Sequence, residues 1–360
     1  VLVSLPGSES RIVDLGSRPL GALRLDQVDA LFEAVRLAAA GAVSVETALR
    51  ALHGVRASKP RFGWPLTLAG HAILTVGLAL VLGCTWLDLG VSALFGLGVG
   101  ALKLLSDWLG ALQLLLPTLA AVCVSGIAFW LAQHAGYDGA LRVLIPPLVT
   151  FLPGAVLTMS IVELTAGDMI AGASRFVFGI IQLGLLAFGI VIGAQLTGLP
   201  AGEQLVGTSG ALVGAWAPWA GVAVFGIGVF LHFSAPPRSL RWILVVLAAA
   251  WLGQWAGGQF VSGYLSGFFG AAVMTPVALS AQRLPSGPPA LVTFLPGFWL
   301  LVPGALGLVG LTDFAQDSYA GVQELVSTAG AIVSIALGVL VGAAAWQHAT
   351  LRRTVPGRIS

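Results

Sequence analysis

Two short stretches carry the residue types best suited to hold a small polar solute inside an apolar chain. The first is Pro146-Pro147-Leu148-Val149-Thr150-Phe151-Leu152-Pro153-Gly154, and the second is Pro288-Pro289-Ala290-Leu291-Val292-Thr293-Phe294-Leu295-Pro296-Gly297. They match apart from one inserted residue, and the shared core contains Thr, Phe and Pro, which are scarce in the flanking sequence, so we read a duplication. Proline lacks the amide hydrogen and crowds the carbonyl one turn back, while glycine frees the backbone, so each copy is expected to interrupt its helix. Thr150 and Thr293 lie just before Pro153-Gly154 and Pro296-Gly297. Their hydroxyls, with the freed backbone groups, suit the carboxylate and ammonium of a zwitterion. All six residues are therefore candidates for substrate binding. The competing use of each threonine is a hydrogen bond back to its own helix.

The titratable residues near these stretches are candidates for proton coupling. Ionisable groups at membrane depth are costly and are retained mainly for function. Glu163 and Asp168 follow the first stretch, and Asp313 and Asp317 follow the second at matching places. Each pair could bind and release a proton, or stand as solvated loop charges. Arg175 could pair with Asp168 or anchor the chain at the membrane surface. His71 lies roughly 10 Å along the first apolar helix, where an imidazole can relay protons or bond a neighbouring helix. Other chemistry finds little support. Gly207-Thr208-Ser209-Gly210 superficially resembles the serine motif of intramembrane proteases, but no histidine is placed to serve it. There is no His-Glu-x-x-His zinc motif, phosphate-binding glycine loop or Walker lysine, so no metal and no cofactor is expected. No span carries the charged series that lines a channel.

The elements that would position these residues are membrane helices. The chain of 360 residues is 57% hydrophobic and 9% charged, against about 25% charged in an average soluble domain. Residues 1–63 are the most densely charged part of the chain. There Leu25, Val28, Leu31, Phe32 and Val35 recur at helical spacing, and Ser44 with Glu46 can open a second helix through Leu49, Leu52 and Val55. From Trp64 onward ten apolar runs are long enough to cross a bilayer, which takes roughly 20 residues each. Their approximate bounds are 64–84, 87–105, 112–133, 143–162, 171–195, 210–232, 239–257, 260–280, 290–311 and 325–346. Cys84 and Cys123 fall in apolar runs and read as small buried hydrophobes. The chain opens on Val1 with no signal peptide, so we expect the natural chain to begin earlier.

Lysine and arginine gather on the inner side of short loops. With the N-terminus inside, Arg56, Lys59, Arg61, Lys103, Arg175, Arg238, Arg241, Arg283, Arg352, Arg353 and Arg358 all face the cytoplasm, Arg142 is the exception outside, and the outer connections hold Asp88, Asp138, Glu203, Asp313, Asp317 and Glu324. The duplicated stretches then fall in spans four and nine. Five spans per copy is an odd number, so the second copy must lie inverted in the membrane. Inverted repeats with interrupted helices are a carrier architecture. The expected fold is an all-α polytopic membrane protein. It has a short helical cytoplasmic segment (1–63), a first five-span repeat (64–200) and a second (201–360).

The order of these features resembles the threonine/serine exporter family across nearly the whole chain. The likeness rests on the Leu25-Asp26-Gln27-Val28-Asp29-Ala30-Leu31 stretch running through Ser44 to Ala48 and Leu52. It rests also on the basic approach to span one (Lys59-Pro60-Arg61-Phe62-Gly63-Trp64), and on the two Leu-Pro-Gly segments at Leu152 and Leu295. The resemblance implies a ten-span carrier in a bacterial inner membrane, both termini cytoplasmic, exporting small polar metabolites at the expense of the proton motive force. Threonine and serine are the expected substrates, with a succinate-like dicarboxylate as the alternative. An intramembrane enzyme or a channel is the more distant rival. The implied partners are an amino or organic acid, protons and the lipid bilayer, with no nucleic acid; self-association is left open.

Overall fold

The structure is a computed structural model. It describes residues 2–3, 11–12, 23–109, 112–198, 212–261, 265–301 and 318–354, the side chains of 2–3, 11–12, Arg56, Asp107, 318–325 and 352–354 excepted. Apart from a two-residue antiparallel pairing of Leu2–Val3 with Arg11–Ile12, the described elements are helices.

The charged N-terminal segment folds as the expected hairpin. Helix α1 (Leu25–Ala39) is followed by α2 (Val45–Ala57), whose N-cap Ser44 accepts from the Thr47 amide at 3.2 Å. Gln27 Nε2 donates to the Val55 carbonyl at 3.0 Å, and Arg24 Nη2 to that of Ser58 at 2.9 Å, which ties the start of α1 to the end of α2. Only the first half of the apolar stripe on α1 is covered. Leu25 and Val28 are buried in the main core, whereas Phe32 and Val35 remain exposed.

The apolar part comprises α3 (Trp64–Leu82), α4 (Trp86–Trp108), α5 (Leu112–Ala135), α6 (Ile145–Leu148), α7 (Gly154–Ala166), α8 (Met169–Leu196), α9 (Ala217–His232), α10 (Leu240–Gly257), α11 (Ser266–Gln282), α12 (Ala290–Leu301) and α13 (Ser318–Thr354). Among the described residues six helices are long and apolar enough to cross a membrane: α3, α4, α5, α8, α10 and α13. The pair α6–α7, bent by 45°, makes a seventh if it is one span. The other three expected spans are held by α9 with 16 residues, α11 with 17 and α12 with 12. These are shorter than the roughly 20 residues that hydrocarbon requires, and their neighbours 199–211, 262–264 and 302–317 lie outside the described residues.

Helices α3 and α9 form the central pair, interlocked through glycines. A Cβ at Gly77 would collide with the Phe225 backbone, and one at Gly228 with the Leu74 backbone; Gly70 meets His232, and Gly221 meets Val81. Low numbers on one helix meet high numbers on the other, so the two run antiparallel. Around them α4 packs on α3 and α10 on α9, while α5 packs on α4 and α8, and α11 on α10 and α13. Such small-residue contacts let backbones approach where lipid offers no hydrophobic drive.

The two duplicated stretches are built differently. In the first, α6 passes into a 3₁₀ turn (Val149–Phe151), Leu152 is extended, and α7 starts anew after Pro153. Pro153 has no amide hydrogen for the Val149 carbonyl, which instead accepts from Leu152 at 3.1 Å. In the second, α12 runs through Pro296 without a break. The expected interruption there is not seen among the described residues. The helix begins only after Pro288-Pro289, with Gln282 Oε1 accepting from the Ala290 amide at 2.7 Å. Pro296 thus falls in the second turn, where one hydrogen bond is forgone and the ladder continues.

Candidate functional site

The break between α6 and α7 is where polar side chains converge. Thr150 sits in the 3₁₀ turn, half-buried, so its hydroxyl faces neighbouring helices rather than a helical carbonyl. Lys103 Nζ donates to Thr150 Oγ1 at 3.1 Å. Lys103 lies near the C-terminal end of α4, and helical side chains lean toward the N-terminus. Its stem therefore carries the ammonium back into the bundle rather than out to the near surface. There the ammonium lies over two aromatic faces, 5.3 Å from the Phe151 centroid and 5.2 Å from that of Phe233. Phe233 in turn stacks on Trp299 at 4.9 Å.

Two histidines complete the cluster. His71 is fully buried on α3, with Nδ1 3.0 Å from the Gly96 carbonyl and Nε2 3.5 Å from Thr150 Oγ1. A carbonyl only accepts, so Nδ1 carries the hydrogen and Nε2 presents a lone pair toward the threonine. His232, at the end of α9, packs edge-on against His71 at 4.7 Å and bonds the Thr67 carbonyl through Nδ1 at 2.9 Å. Gly96 and Gly100 make this possible: a side chain at either would push into α3 beside Thr75 or His71.

The model of the threonine/serine exporter family, ThrE, matches residues 11–197, which run from the N-terminal segment through the broken span to the end of α8. The chain belongs to the threonine/serine exporter family. A threonine/serine exporter of Corynebacterium glutamicum is 24% identical over 352 residues, covering 92% of this chain and 68% of that protein. An uncharacterized protein of Schizosaccharomyces pombe is 30% identical over 199 residues, 52% of this chain, and the matched region spans only 24% of that much longer relative. No solved structure matches the chain.

In this exporter-family protein the sequence candidates divide into groups. His71 and Thr150 are brought together, and Pro153 and Gly154 form the adjoining break. Thr293 is buried on α12 with its hydroxyl donated to the Ala290 carbonyl at 2.9 Å, the local use that competes with binding. Pro296 and Gly297 are buried within the same helix, Gly297 against Met274. Glu163, on α7, receives Arg175 Nε at 2.8 and 2.9 Å, so Arg175 pairs with Glu163 rather than with Asp168. Asp168 is exposed at the start of α8. Asp313 and Asp317 lie outside the described residues.

Lys103 and His232 were missed as site residues. Lys103 reads as an inside anchor because it lies near the end of its run, although it falls within the apolar window of α4. Nothing in the sequence near His232 announces His71, since only the α3–α9 crossing unites them. A second polar cluster lies at the other end of α4. Asp88, assigned from sequence to an outer loop, is instead buried in the first turn of that helix. It receives Tyr137 Oη, Arg142 Nε at 2.8 Å and the Thr85 amide at 2.9 Å. Burial and then the adjacent carboxylate push the Tyr137 phenol far up from its usual range, and the hydrogen bond to Asp88 keeps the Arg142 guanidinium charged. This pairing anchors the turn that leads into α6.

Proposed function

We propose that this protein is a secondary active transporter exporting small polar metabolites, most simply threonine and serine, by alternating access driven by the proton motive force. The observation that carries the reading is the convergence of Lys103 and His71 on Thr150 at the break between α6 and α7. A broken helix at membrane depth is tolerated where it lines a solute path. In this reading Lys103 takes the substrate carboxylate, Thr150 orients it, and the lone pair on His71 Nε2 receives the coupled proton. Glu163 and Asp168, with Asp313 and Asp317, are the further proton-coupling candidates near the faces.

The duplication supplies the moving parts. Gly70 and Gly77 on α3 are spaced as Gly221 and Gly228 are on α9, and each helix meets the other antiparallel. Thr118, Ala121, Val122 and Ser125 flank Gly189 and Gly193 just as Phe268, Ala271, Ala272 and Thr275 flank Gly338 and Gly342. The hydroxyls of Ser125 and Thr275 bond Ala121 and Ala271 identically, at 2.7 Å each. These correspondences support ten spans arranged as two inverted five-helix repeats, 64–200 and 201–360, that rock about the α3–α9 axis. The basic loops support placing both termini in the cytoplasm, and the membrane of this reading is a bacterial inner membrane. Because the Lys103 ammonium would pair with a carboxylate without regard to the rest of the solute, a succinate-like dicarboxylate is the second reading.

The test is uptake of labelled threonine, serine and succinate into everted vesicles with and without an imposed pH gradient. Gradient-dependent, saturable flux of at least one is expected; absence of such flux for all three would overturn the proposal.

A further inference from the structure

We infer that α1 is a hinged lid over the cytoplasmic approach to the Lys103–Thr150 cluster, latched by the Asp29–Arg238 ion pair; the inference rests on the transporter reading and its orientation. The turn after α9 lies between the two. Phe233 presents its ring to the Lys103 ammonium on one side, and its carbonyl accepts from the Leu25 amide at 3.2 Å on the other. A single residue therefore separates the first turn of α1 from the site. Leu25, 1% exposed, and Val28, 7% exposed, enter the same core that encloses the cluster, so a solute arriving from this face must displace them.

Three features make α1 a movable cover rather than a fixed floor. Beyond Leu25 and Val28 the large residues Phe32 and Val35 of its stripe are exposed, Leu31 is half-buried and only the small Ala34 is buried again, so most of its apolar burial lies in its first turn. Its one ion pair to the bundle among the described residues is Arg238 Nη2 with both Asp29 oxygens, at 2.7 and 2.9 Å, partly open to solvent. On its flank lies a cavity of about 570 Å³, bounded by Phe32 and Arg36 on one side and Leu284 and Pro289 on the other, into which α1 can swing. The turn beneath it is also strained. Ser234 adopts φ 50° without being glycine, and its buried hydroxyl has no hydrogen-bond partner. Left-handed backbone at such a residue is strained, and the docked α1 helps hold that turn in place. The hairpin clamps of Gln27 and Arg24 would let α1 and α2 move as one body about the 58–63 connection.

The experiment uses the full chain with Cys84→Ser, Cys123→Ser and a Thr150→Cys reporter, labelled in vesicles of either orientation by a membrane-impermeant anionic methanethiosulfonate. From the face that carries α1, Asp29→Ala or Arg238→Ala should raise the labelling rate about fivefold, the equivalent of about 1 kcal/mol of latch. Asp29→Arg combined with Arg238→Asp should return it to the parent rate, and labelling from the opposite face should not change. In a second arm without the reporter, Asp29→Cys with Arg238→Cys bridged by a short reducible cross-linker should stop flux, and reduction should restore it. Parental labelling in both single variants, or undiminished flux when bridged, would overturn the lid. If the uncross-linked protein carries none of the three solutes while labelling follows the latch, the transporter reading fails and the lid stands.

Discussion

The stretch around Thr150 and its twin around Thr293 have nearly the same residues and opposite local structures. The first is broken at Pro153 and surrounded by Lys103, His71 and two aromatic rings. The second is a continuous helix through Pro296, with its threonine bonded internally. The inserted Ala290 and the position of the prolines relative to the helix start account for part of this. The rest comes from neighbours, because α4 supplies a lysine where the equivalent face of α10 supplies none. Two stretches of nearly the same sequence thus differ in structure: polar side chains converge on one, and the other packs as continuous helix.

That contrast can be broken experimentally, beginning with the largest effect. Asp88→Ala would strip the anchor from the turn leading into the first copy and leave Arg142 without its buried carboxylate. We expect about 3 kcal/mol of destabilisation, read as a lowered melting temperature in detergent; an unchanged melt would show that the anchor is dispensable. Lys103→Met should cost about 2 kcal/mol of solute binding, which is roughly a thirtyfold rise in KM with insertion intact. The paired substitutions Thr150→Val and Thr293→Val sharpen the comparison most directly. The first should lower flux about tenfold, and the second, whose hydroxyl serves only its own helix, less than about twofold; equal losses would return both copies to the site. Finally, Glu163→Gln removes a pair whose arginine is half exposed, so its effect on stability should stay below about 1 kcal/mol, and any larger loss of pH-gradient coupling would assign it a role in proton transfer.

Much of the fold was legible beforehand because composition and periodicity are local properties. The hairpin of α1 and α2 follows from the Leu25–Val28 stripe and the Ser44 cap, and the positions of the apolar helices follow from hydropathy. The site was half legible. His71 and Thr150 could be nominated one by one, since a histidine or a proline-flanked threonine in an apolar run is conspicuous. Their meeting with Lys103 was not, because that depends on Gly96 and Gly100 letting α4 approach α3. Asp88 misled for a related reason: a carboxylate at a run boundary looks solvated until Arg142 and Tyr137, from a later turn, are seen to enclose it.

The sequence by itself determined that this chain lives in a membrane, that it carries a duplication, and that it resembles the exporter family to which it belongs. Hydrophobicity and repetition are written residue by residue and need no partner to be read. Only the tertiary structure decided which copy of the duplicated stretch is open, which of the scattered charges meet, and that the N-terminal hairpin sits directly beneath them. Those outcomes are set by contacts between residues far apart in the chain, where a glycine's missing side chain or one salt bridge fixes the distance between helices.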